Sequence, residues 1–151
     1  MRECACSKTD LHHYRNRLSG PLLDRIDIHV YVPPVPYSDL STQKEGESSE
    51  KIRERVTQTR AIQRQRFRGT GIHTNSAMTA KFLREYCALD EKNSKLLERA
   101  VSTLSLSARA YDRILKVART IADLEGSEKI ATAHLAEAIQ YRNLDREVSR
   151  F

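Results

Sequence analysis

The sequence predicts a mainly α protein, in which a short helix and one strand are followed by a proline-rich break and then a domain of about five helices. Three observations carry this. Val32-Pro33-Pro34-Val35-Pro36-Tyr37-Ser38 places three prolines within four positions, which deletes backbone donors and forces extended geometry. Beyond it, apolar residues recur at helical spacing in successive stretches, each opened by a Ser, Thr or Asp in cap position. Before it, only Ile26 to Val32 alternates with period two, and one strand must find its ladder partner elsewhere.

Ser7 to Leu18 reads as the first helix, capped by Ser7 or Thr9, with Leu11, Tyr14 and Leu18 at helical spacing. His12 and His13 project about 100° apart on it and are expected at the surface. Ser19-Gly20-Pro21 then reads as a turn, since Gly admits positive φ and Pro fixes φ. Leu22 and Leu23 are expected to be buried anchors that leave Arg25 projecting, and Ile26-Asp27-Ile28-His29-Val30-Tyr31-Val32 is expected to be a half-buried strand. The break forms a linker over residues 33–48.

From Ser48 or Ser49 a long helix is expected to about Phe67, its seam formed by Ile52, Val56, Thr59 and Gln63. Arg53, Arg60 and Arg64 stand at i, i+7 and i+11 and share one side of it, either as a solvated face or as a phosphate-contacting stripe. After a loop from Arg68 to Asn75 broken by Gly69 and Gly71, Thr79 caps a helix to about Leu89, with Met78 stapled to Leu83. Asp90 caps the next, whose apolar face is Leu96, Leu97, Ala100, Val101 and Leu104. Ser107 opens Ala108–Glu125, closed by Gly126, with Tyr111, Ile114, Leu115, Ala118, Ile121 and Ala122 as its buried stripe. Asp112 with Lys116 and Arg119 with Asp123 have the spacing of exposed i, i+4 pairs. A last helix is expected over 132–142, burying Leu135, Ala138 and Ile139, before a frayed tail.

Composition narrows the function. The 151 residues are 39% hydrophobic and 30% charged, sufficient for a real core, and hold no apolar run near the roughly 20 residues of a membrane span. The start Met1-Arg2-Glu3-Cys4 does not read as a signal peptide, so a cytoplasmic location is expected. A net charge of +6 favours an anionic partner, nucleic acid or nucleotide. Residues 49–73 hold seven Lys or Arg (51, 53, 55, 60, 64, 66, 68) against two Glu (50, 54), a local net of +5, so the excess is concentrated. Cys87 falls on an apolar face and is expected in the core. Cys4 and Cys6 are either reduced thiols or half of a zinc site, for which four ligands are the norm.

Two stretches carry a resemblance. Tyr14-Arg15-Asn16-Arg17-Leu18-Ser19-Gly20-Pro21-Leu22-Leu23-Asp24-Arg25-Ile26-Asp27 resembles the segment after sensor 1 in AAA+ ATPases related to magnesium chelatase, of the ComM/YifB competence group. Leu106 to Leu124 with His134 to Arg142 is similar to the helical lid of that family. The resemblance implies that the five-helix domain over residues 49–143 is that lid, that residues 1–32 end the α/β core, and that two further cysteines lie upstream of Cys4 and Cys6. It implies that Arg25 is the arginine finger and Arg109 the sensor 2 residue at ATP sites between subunits. It also implies a ring, a hexamer, that uses ATP and Mg2+ to drive DNA branch migration in recombination of transforming DNA. The alternatives are the ATPase subunit of a magnesium chelatase, which inserts metal into a porphyrin, and a stand-alone helical nucleic-acid-binding module. The glycines are 20, 46, 69, 71 and 126, and no pair has the G-x-x-x-x-G-K-[ST] spacing that cradles phosphates. The chain by itself is therefore expected to be inactive as an ATPase.

Overall fold

The computed structural model describes residues 5–15, 17, 20–35 and 46–142. Cys4, Leu18, linker residues 36–45 and the tail from 143 lie outside them, as do the side chains of Leu11 and His12. Among the described residues the protein is helical: α1 (Lys8–Arg15), α2 (Gly20–Leu23), α3 (Ser49–Arg66), a 3-10 turn (Asn75–Ala77), α4 (Ala80–Tyr86), α5 (Glu91–Leu104), α6 (Ala108–Leu124) and α7 (Thr132–Gln140). The five helices expected after the linker are present.

Local chemistry explains most boundaries. The hydroxyl of Ser7 accepts from the Asp10 amide while the Asp10 carboxylate accepts from Ser7, a reciprocal cap on α1. Those Ser7 bonds hold the Asp10 carboxyl below its ordinary value. Ser48, Asp90 and Ser107 accept from backbone amides three residues on and start α3, α5 and α6. At the end of α6, Ser127 N–H bonds Ala122 O and Gly126 N–H bonds Asp123 O, with Gly126 at φ 68°. This is a Schellman stop, and it requires the positive φ that glycine adopts without strain. Ser105 takes the left-handed conformation at the end of α5 with no glycine to ease it.

The core lies between α6 and the other four helices of the domain. Phe67, Met78, Leu83, Cys87, Leu97, Ile114, Leu115, Ala118, Ile121, Ile130, Leu135 and Ala138 form one buried cluster. Phe67 meets Phe82 and Tyr86 edge to face at 5.8 and 5.7 Å, a favourable arrangement of ring quadrupoles. Cys87 is buried here as expected, and burial pushes its thiol up to about 11.

Several expectations are corrected. Ser19-Gly20-Pro21 was expected to lead by a simple turn into two buried leucines; instead Gly20–Leu23 is a single helical turn, with Pro21 in its first positions where no amide partner is needed. Leu23 alone is buried, and Leu22 is 42% exposed. Residues 26–32 do not form a strand, because no neighbouring strand among the described residues supplies a ladder. The segment runs extended with its apolar register Ile26, Ile28, Val30 and Val32 outward, while His29 is buried and its N–H donates to Tyr141 O at 2.8 Å. Thr59 and Gln63 are buried but Ile52 and Val56 are exposed, since every residue from 49 to 58 lies beyond the core. Tyr111 is 41% exposed. Asp112 does not pair with Lys116; the Lys116 ammonium donates to Ser76 O at 2.9 Å. The helices α4 and α7 end at Tyr86 and Gln140, shorter than expected, and Arg119 with Asp123 is a buried pair rather than a surface one.

Candidate functional site

The chain sets Arg25 at the corner of a hydrogen-bonded turn. Arg25 N–H bonds Leu22 O and Ile26 N–H bonds Leu23 O, both at 3.0 Å, so the backbone reverses while the Arg25 side chain stays exposed. Leu23 anchors one side in the domain. On the other side Arg142, 1% exposed just beyond α7, sends Nη1 to Ile26 O at 2.5 Å and to Leu23 O at 3.4 Å. Its Nη2 lies 3.8 Å from Asp24 Oδ1. Asp27 is bound by Arg113 of α6. The Arg25 turn is thus tied to the helical domain at carbonyls on both sides of Arg25, and at Asp27.

Arg109 stands exposed in the first turn of α6, directly after the Ser107 cap. The unsatisfied amides and the positive dipole end of a helix favour an anion there. Arg113 lies one turn further along the same face of α6. One helix therefore presents Arg109 and, through Arg113 and Asp27, holds the segment that carries Arg25.

Arg53, Arg60 and Arg64 are all exposed on α3, which packs on α6 through its C-terminal half. They flank the exposed Ile52 and Val56, and Arg55 on another side of the helix is bound bidentately by Glu47 at 2.8 and 3.1 Å. Cys6 is exposed, and no cluster of three or more potential metal ligands occurs among the described residues.

What the sequence reading missed is a buried ionic network. Asp123 accepts from Arg66 Nη1 and Nη2 at 2.7 and 2.5 Å, from Arg119 Nε at 3.0 Å and from Asn75 Nδ2 at 2.8 Å. Arg119 also donates to the carbonyls of Glu128, at 2.7 Å, and Ser127. The Arg66 guanidinium stacks over Tyr86 at 5.7 Å. Burial alone would raise the Asp123 carboxyl, but the hydrogen bonds from Arg66 and Asn75 and the charge of Arg119 outweigh it and hold it below its ordinary value. The network locks α3, the 3-10 turn and the α6–α7 loop to the helix that carries Arg109. A second polar lock sits nearby: His134 Nδ1 accepts from Ala131 N–H at 3.0 Å, so its Nε2 carries the proton and donates to Glu125 at 2.7 Å.

Comparison with known proteins places these features in a family. Residues 46–142 match the family described as magnesium chelatase, subunit ChlI C-terminal, and residues 1–40 match magnesium chelatase, subunit ChlI. The chain is 45% identical over 141 residues to competence protein ComM of Haemophilus influenzae, covering 93% of this chain and 27% of that protein. It is 40% identical over 142 residues to the uncharacterized protein YifB of Escherichia coli, with the same coverages. An uncharacterized protein of Mycobacterium tuberculosis is 33% identical over 141 residues, 93% of this chain and 28% of its own length. The chain thus spans little more than a quarter of the relatives it matches. No helix among the described residues is long and apolar enough to cross a membrane.

Proposed function

We propose, because this chain belongs to the magnesium-chelatase ChlI family of AAA+ ATPases and forms its helical lid with the segment before it, that it supplies two arginines to ATP sites shared between subunits. Arg25 acts as the arginine finger and Arg109 as sensor 2. The observation that carries this is the Arg25 turn: an exposed guanidinium on a backbone tied down on both sides. A planar, permanently charged fork of donors suits the charge that develops on a transferring γ-phosphoryl group. Holding it in advance avoids reorganisation when that charge appears.

Arg109 and the first amides of α6 contact phosphate oxygens of bound nucleotide. The donor sets of Arg25 and Arg109 fit a polyphosphate, whereas the loop that cradles phosphates and the ligands to Mg2+ come from outside residues 1–151. Mg2+-bound ATP supplies the phosphoryl group, and this chain's residues stabilise charge and orient it. Cys4 and Cys6 offer two thiolates to a zinc ion, which would need two more ligands.

The whole protein is a ring, a hexamer, that couples hydrolysis to DNA branch migration during recombination of incoming DNA. The name of the 45% identical relative, a competence protein, supports this reading. The family's own description favours a second, a magnesium chelatase ATPase that drives metal insertion into a porphyrin. Full-length protein should show ATP hydrolysis stimulated by branched DNA and should move a four-way junction only with ATP. Hydrolysis indifferent to DNA but coupled to porphyrin metalation would establish the second reading. DNA binding with no nucleotide binding would reduce the chain to a helical nucleic-acid module.

Arg53, Arg60 and Arg64 contact DNA phosphates in this account. Each neutralised phosphate adds roughly 0.9 to the slope of log K against log salt on duplex DNA. Changing all three to Gln should therefore lower the slope by about 3. An unchanged slope would make the stripe a solvated face.

A further inference from the structure

We infer that Arg142, seconded by Arg113, is a positioning residue for Arg25, so that the lid and the finger move as one body. The inference rests on the reading of Arg25 as the finger. Its physical basis is the pattern of acceptors. Leu23 O and Ile26 O both point their lone pairs at one buried guanidinium, and Arg25 lies between them in sequence. Leu23 O also accepts the Ile26 amide, so Arg142 completes the hydrogen bonding of the very turn that projects Arg25. Both bonds come from Nη1, whose two N–H groups are fixed in the guanidinium plane, whereas the donors of a lysine ammonium rotate on a flexible stem. Burial of Arg142 excludes water as a substitute partner and makes loss of these bonds costly.

The second tie gives the clamp a direction. Arg113 binds Asp27 from the same face of α6 that presents Arg109 one turn earlier. The His29 amide adds a third tie to Tyr141 O at 2.8 Å. A shift of α6 on nucleotide contact at Arg109 therefore carries the Arg25 turn with it, because the polar ties and the buried Leu23 connect them without an intervening loop. A lid that senses nucleotide at one end would set the pose of a finger that acts at another.

The test uses full-length protein with Arg142→Gln, Arg142→Lys and Arg113→Gln, and reads two quantities: hydrogen exchange at the Arg25 and Ile26 amides, and kcat against KM for ATP. With Arg142→Gln, exchange at those amides should rise about tenfold or more. Turnover should fall about tenfold to a hundredfold, the scale of a misplaced catalytic group, with KM for ATP within about twofold. Arg142→Lys should recover part of both, and Arg113→Gln, at the surface end of the clamp, should move both in the same direction by less. If Arg142→Gln fails to fold, the Arg113 variant carries the test. Unchanged exchange would overturn the clamp. Faster exchange with unchanged turnover, in a protein that Arg25→Ala inactivates, would overturn the positioning role. If Arg25→Ala itself leaves turnover intact, the finger reading fails, and the exchange data alone decide whether Arg142 holds the turn.

Discussion

Replacing Arg25 by alanine in the full-length protein is expected to lower the rate of ATP hydrolysis by about 10³ to 10⁵, the range an arginine finger contributes to phosphoryl transfer. Nucleotide binding should stay nearly intact. The split follows from the proposed role: a guanidinium that meets charge developing on the γ-phosphoryl oxygens acts only in the transition state, so its loss lowers kcat without weakening ground-state binding. Steady-state turnover paired with equilibrium nucleotide binding checks both halves. Arg25→Lys should restore little, because one compact ammonium cannot reproduce the planar fork. Equal losses in binding and turnover would instead make Arg25 an ordinary phosphate contact.

The second large effect concerns stability. Asp123→Ala leaves Arg66 and Arg119 facing an empty, buried acceptor site. Breaking a buried pair by removing one partner costs about 3–5 kcal/mol, a large share of the roughly 5–15 kcal/mol that holds a domain. The melting temperature of the helical domain should fall by more than about 10 °C on that scale. The pH dependence has a definite sign. The folded carboxyl titrates below its ordinary value, so its contribution is fully present above the unfolded carboxylate value of about 3.9. It is lost as pH falls through the lower folded value. Thermal melts of wild type and Asp123→Asn should therefore converge in acid. Melts that keep their full separation down to pH 2 would show that the network is not held by this charge.

What could be read in advance divides along physical lines. Caps and stops are local chemistry: Ser48, Asp90, Ser107 and Gly126 each act on amides or carbonyls within five residues, so their signals lie in adjacent letters. The broad apolar stripe of α6 is likewise periodic and was legible, save for Tyr111 at its edge. The Asp123 network was not. Arg119 and Asp123 show surface spacing, and what buries them is Arg66, 57 residues from Asp123, and Asn75, 48 residues away. The clamp on the Arg25 turn was hidden for the same reason, since Arg142 reaches Leu23 across 119 positions. Period two at 26–32 was read as a half-buried strand; the segment is extended but unladdered, and of its polar register only His29 is buried. Alternation says which residues share a side, and the packing partner decides which side is covered.

The central proposal is that the function of Arg25 lies in a neighbouring subunit. Mixing settles it most directly. Full-length Arg25→Ala protein is combined with full-length protein whose phosphate-binding loop, outside these 151 residues, is disabled by mutation of its lysine. Each variant alone should be inactive. If Arg25 acts across the interface, mixed rings pair an intact loop with an intact finger and hydrolysis returns to a measurable fraction of wild type. Mixed rings that assemble and yet remain inactive would contradict it.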